Sequence, residues 1–131
     1  SLPVLLFIHG SSYDFGTGNM FDGRILAAYG LVIVVTINYR LGVLGWLVGF
    51  LSTTDSDASG NYALLDQVAA LQWIQANIKN FGGNPNGVTI MGQGHGAAMA
   101  NMLMMSPITR GSNLFQRVIL LSGSAFSVWA I

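Results

Sequence analysis

Four short runs of nearly unbroken apolar residues, set between longer segments of helical period, restrict this chain more than any other feature. The runs are Val4 to Ile8, Val32 to Ile37, Val88 to Met91 and Arg117 to Leu121. In Val32 to Ile37 five of six residues are apolar and most are β-branched, which suits a strand packed on both faces. Arg24 to Tyr29 reads as a short helix stopped by Gly30, and Ala97 to Met105 as a helix halted before Pro107. The longest helix is expected over Tyr62 to Ile78. There Leu64, Leu65, Val68, Leu71 and Ile74 share one face, and periodicity places Trp73 in the core. Gly82, Gly83 and Pro85 end that helix with turn chemistry. The glycine-rich stretches up to Asp22 and from Asn38 to Gly60 read as irregular. Strands apolar on both faces, alternating with helices, imply α/β architecture: a mostly parallel sheet with helices on both faces. No linker or repeat marks an internal boundary, so residues 1–131 read as a fragment of one domain.

Charge narrows the reading further. Only 8% of residues are charged, where a soluble globular domain carries about 25%. With 52% hydrophobic residues, disorder is excluded. So sparse a charged surface suits an interior slice of a larger protein, and the chain starts without Met. Five basic residues balance five acidic ones, which argues against a nucleic-acid binder or a polybasic membrane-surface module. The longest apolar run, Leu41 to Leu51, has eleven residues including three glycines, against about 20 for a bilayer span. No signal-peptide pattern opens the chain, so any membrane anchor or export signal is expected outside it. With no cysteine there is no disulfide, thiolate metal site or cysteine nucleophile.

The most informative segment runs Val88-Thr89-Ile90-Met91-Gly92-Gln93-Gly94-His95-Gly96-Ala97-Ala98. A strand enters a glycine-rich turn and a small-residue helix leaves it. Hydrolases of α/β architecture present their nucleophile in this context, in the pattern Gly-x-Ser-x-Gly. Gly92 and Gly96 supply both flanks, but the centre is Gly94, which has no side chain. A dinucleotide fingerprint would need a third glycine where Ala97 stands, so no cofactor is expected. His95 offers a base or a ligand, yet His9 is the one other histidine. Neither a metal pair nor a base with its orienting acid is evident, and an imidazole packed at the turn is the preferred reading. At the end of the first strand, His9-Gly10-Ser11-Ser12-Tyr13 stands where a His-Gly-Gly-Gly loop offers backbone N–H groups to a developing oxyanion. Ser11 and Ser12 replace glycine there, which puts the geometry of such a hole in question.

Asn38-Tyr39-Arg40-Leu41-Gly42, Gly60-Asn61-Tyr62-Ala63-Leu64-Leu65-Asp66-Gln67, Leu71-Gln72-Trp73-Ile74-Gln75-Ala76-Asn77-Ile78 and Phe81-Gly82-Gly83-Asn84-Pro85 together resemble the cholinesterase and type B carboxylesterase family. Gly16 to Gly23, Thr36 to Arg40, and Ser122-Gly123-Ser124-Ala125 with Trp129-Ala130-Ile131 are most similar to its neuroligin branch. The resemblance implies a partial α/β-hydrolase fold in a cell-surface, synaptic adhesion protein without esterase activity. It implies a neurexin-like partner, and homodimerisation through segments outside this chain. Gly92, Gly94, His95 and Gly96 then form a vestigial elbow, and Gly10, Ser11 and Ser12 a vestigial oxyanion loop. The near-repeat of Leu44-Gly45-Trp46-Leu47 by Val48-Gly49-Phe50-Leu51 departs from the family pattern.

The alternative is a working carboxylic ester hydrolase, whose acyl transfer needs a nucleophile and a base. Residue 94 separates the two, since glycine cannot serve; Ser122 and Ser124 are substitutes in name only, as neither sits in an elbow. Arg40 is expected to form a structural ion pair with Asp66 or Asp14. Trp46 and Phe50 either line a vestigial gorge or pack the inserted residues. Met99, Met102, Met104 and Met105 read as adaptable core packing. No asparagine begins an Asn-x-Ser/Thr acceptor.

Overall fold

The computed structural model describes residues 1–10, 12–42 and 61–130. The near-repeat, Trp46, Phe50 and Ser11 lie outside the described residues. Strands β1 (Leu2–Ile8), β2 (Ile33–Thr36), β3 (Gly83–Gln93) and β4 (Arg117–Leu121) form one sheet in the order β2-β1-β3-β4. Every pairing is parallel. Helices α1 (Arg24–Gly30), α2 (Tyr62–Asn77) and α3 (His95–Met105) make the crossovers, as parallel strands require. Register aligns Leu6 with Val35 and Ile90, and Ile90 with Val118.

Because side chains alternate along a strand, the sheet has two distinct faces. One carries Val4, Leu6, Ile8, Val88 and Ile90, all 1% exposed or less, sealed by Val68, Leu71 and Ile74 of α2 and Met99 and Leu103 of α3. The other carries Leu5, Phe7, Val34, Thr36 and Met91. Phe21 and Leu26 cover it in part, leaving an open hollow of about 250 Å³. On that second face Ile119 of β4 is aligned with Met91 and stays 42% exposed. Helices do lie on both faces, but among the described residues only one face is sealed.

Several expectations need correction. Trp73 is half exposed, its ring tilted against Phe81 at 6.0 Å between centroids. It lies two residues beyond Leu71, about 200° around the helix from it, and so opposite the buried stripe. Leu65 is also exposed, and Ala63 and Gln67 are buried in its stead. Gly30 does not stop α1; it is the last helical residue, and Leu31 takes the left-handed position at φ 49°. Helix α2 yields to a 3-10 turn over Ile78–Phe81, closed by Gly82 at φ 81°. Gly83 and Pro85 already belong to β3, so only Gly82 does the stopping. On α3, Met99 is buried but Met104 and Met105 face outward.

Candidate functional site

The β3–α3 turn stands where β1, β3 and β4 end together. Gly94 adopts φ 56°, ψ −120°, a combination closed to residues with a Cβ except under strain. Its N–H donates to the Leu121 carbonyl at 2.8 Å, and its carbonyl accepts from the Ala97 and Ala98 amides at 3.0 and 3.1 Å. Sheet and helix are thereby fastened at one residue.

Close approach explains the neighbouring glycines. A Cβ at Gly92 would collide with the Gly96 carbonyl, one at Gly96 with the Ile8 carbonyl, and one at Gly10 with the Gln93 carbonyl and the Gly96 amide. Gly123 abuts the Gly94 carbonyl in the same way. Position 94 itself is different: a Cβ there meets no atom of the described residues within 4 Å. The turn thus has room for a side chain where its sequence supplies none.

The facing loop is less relaxed. Ser12 and Tyr13 hold consecutive left-handed conformations, φ 52° and 63°, each unfavourable for a residue with a Cβ. The Ser12 N–H donates to Nδ1 of His95 at 3.2 Å. Tyr13 meets the same imidazole edge-on at 4.4 Å between centroids, and Trp129 packs against it at 4.5 Å. The Tyr13 hydroxyl donates to the Ala130 carbonyl at 3.1 Å. Burial lowers the His95 pKa, with the Asp14 charge pulling the other way. The sequence places an imidazole at the turn; its grip on the loop amide joins residues 83 apart and has no local signature.

His9 begins that loop and is fully buried, stacked on Tyr39 at 4.6 Å, with the Tyr39 hydroxyl donating to its carbonyl. Neither of its ring nitrogens has a hydrogen-bond partner among the described residues, and burial lowers its pKa. His9 and His95 make separate ring contacts, and among the described residues no His/Cys/Asp/Glu cluster could hold a metal ion. Ser122 follows β4 at φ 54°, and the Ser124 hydroxyl donates to Oδ1 of Asn101 at 3.2 Å.

Of the two partners considered for Arg40, the structure selects Asp66. The guanidinium spans both carboxylate oxygens at 2.8 and 2.7 Å and lies 4.7 Å from the centre of the Tyr62 ring. Arg40's hydrogen bonds lower the Asp66 pKa. The pair is partly exposed and fixes the segment after β2 to α2.

A nucleophile-type turn at the carboxyl ends of a parallel sheet defines an esterase-like α/β protein. The sequence matches the carboxylesterase family over residues 1–131, and the chain belongs to that family. Its similar relatives include Neuroligin-2 of Mus musculus, 58% identical over 129 residues, and Neuroligin-3 of Homo sapiens, 56% identical over 129. Neuroligin-1 of Caenorhabditis elegans is 50% identical over 131 residues. These alignments cover 98%, 98% and 99% of this chain but only 15%, 14% and 16% of the relatives. Among solved structures, juvenile hormone esterase from Manduca sexta, with OTFP covalently attached, superposes with a TM-score of 0.85 at 44% identity. The match covers 95% of this chain and 22% of the esterase.

Proposed function

We propose that this chain forms part of a catalytically inactive, neuroligin-like ectodomain that works in cell adhesion. In this reading Gly92, Gly94, His95 and Gly96 are a vestigial nucleophile elbow, and Gly10, Ser11 and Ser12 a vestigial oxyanion loop. The carrying observation is Gly94: it holds the centre of the strand–turn–helix without a nucleophile, and no atom of the described residues lies within 4 Å of where its Cβ would stand. Acyl transfer requires an attacking side chain. Without one, oxyanion and binding contributions leave at most ~10³–10⁴-fold acceleration over water in the triad enzymes that define the scale. Identity of 50–58% to neuroligins supports adhesion as the retained role. The whole protein is then a synaptic cell-surface molecule, anchored and dimerised through segments outside this chain, that captures a neurexin-like partner on a facing cell.

The test displays the full-length protein on cells and mixes them with cells bearing a neurexin-like ectodomain, while a chromogenic ester reports hydrolysis. Mixed aggregates with ester turnover at background are expected. Correct display without aggregation, or turnover abolished by mutating Ser122 or Ser124, overturns the reading and restores the hydrolase.

A further inference from the structure

The contact between His95 and the loop goes further than the loss of a nucleophile, and deepens the reading of a silenced esterase site. The loop after β1 is where the fold exposes backbone N–H groups to a substrate oxygen. At Ser12 that N–H already has an acceptor, Nδ1 of His95 at 3.2 Å. An imidazole accepts at Nδ1 only when neutral with its proton on Nε2, and burial favours the neutral ring. Tyr13 holds the ring from the loop side and Trp129 packs against it from the segment after β4. The Tyr13 hydroxyl, bonded to the Ala130 carbonyl, ties those two walls together.

We propose that the His95 side chain is an internal plug of the loop, occupying the Ser12 amide in the place of a carbonyl or oxyanion ligand. Silencing is then double, since position 94 lacks the attacking group and the Ser12 donor is engaged from within. Restoring one leaves the other in force. A missing oxyanion donor lowers turnover on the order of 10²–10³-fold in enzymes that have every other part.

The experiment uses the full-length protein as wild type, His95→Ala, His95→Asn and Gly94→Ser. Hydrogen–deuterium exchange is read at the Ser12 amide, with the amides of Leu5 to Ile8 as the control for an intact sheet. His95→Ala is expected to speed exchange at Ser12 at least ~10-fold while the β1 amides stay protected. His95→Asn places an amide oxygen close to the Nδ1 position and is expected to keep Ser12 protected, a rescue that loss of ring packing alone would not give. Gly94→Ser is expected to remain at background on the chromogenic ester. Unchanged Ser12 exchange in His95→Ala overturns the plug, as does exchange in His95→Asn equal to that in His95→Ala. Should Gly94→Ser turn over ester while the wild type stays silent, the plug fails and the reading of a dead esterase stands. Turnover by the wild type itself is the outcome that defeats that reading.

Discussion

The β3–α3 turn and the loop after β1 face each other across a few ångströms, yet they have fared differently. In the turn, Gly92 and Gly96 are held by contact, because a Cβ at either would drive into backbone. In the loop, Ser12 and Tyr13 occupy left-handed conformations that glycine would take without strain. The flanking glycines of the turn are those on which sheet–helix packing depends, whereas the loop carries serine and tyrosine where glycine would be at ease. Gly94 belongs to both worlds, with the strained φ, ψ of a presenting turn and no described residue within 4 Å of where its Cβ would be. Packing alone therefore calls for glycine at positions 92 and 96, whatever chemistry the turn performs.

That contrast is most exposed at Gly96. Gly96→Val puts a branched side chain against the Ile8 and His9 backbone, which no rotamer relieves. Destabilisation of about 3 kcal/mol or more is expected, read by urea denaturation of the full-length protein and as reduced surface display. Wild-type stability would mean that the junction is far looser than its geometry.

Acidification tests the base of the loop. His9 and His95 both have lowered pKa values in the fold, so the unfolded chain takes up protons more readily as pH falls. Stability is full above the ordinary histidine value of 6.5 and declines as pH drops below it. His9→Phe keeps an aromatic ring against Tyr39 and removes one of these groups. It should flatten the acid limb by up to about 1.4 kcal/mol per pH unit, measured as Tm against pH. An unaltered acid limb would place the titration elsewhere.

The smallest effect has the opposite sign. Ser12→Gly relieves a left-handed serine at some cost in unfolded-state entropy. It is expected to raise stability by about 0.5 kcal/mol, seen as a small rise in Tm. A fall would show that the serine side chain, and not backbone ease, decides this position.

How much of this was legible in the sequence follows from the range of each interaction. Strand β4 occupies Arg117–Leu121 as its apolar run indicates, and the β3–α3 turn falls where the glycines place it, because both are written in consecutive residues. Arg40 with Asp66 was one of two expected pairs, and the packing of α2 beside the segment after β2 selects it. Trp73 misled because the periodic reading grouped it with the apolar stripe, whereas its angle on α2, about 200° from Leu71, turns it outward. Leu31 was missed because a left-handed residue is expected to be glycine, and Gly30 stood adjacent. The bond from Ser12 to His95 was beyond reach of pattern, since only sheet closure brings those residues together.

Strand β4 carries a consequence for how the molecule comes into being. Gly94 is bonded to Leu121 and braced by Gly123, so the turn cannot lock until that later strand has left the ribosome. At ~5–20 residues per second, the wait after β1 emerges is on the order of ten seconds. All pairings here are parallel and distant in sequence, the kind that close slowly. Within that interval Val4 to Ile8 waits first for β2 and then for β3, its two partners in the sheet, and its apolar edges are paired only as each arrives. Birth of this protein thus has a vulnerable window whose length is set by translation, and a chaperone that holds extended apolar segments has its natural opening there.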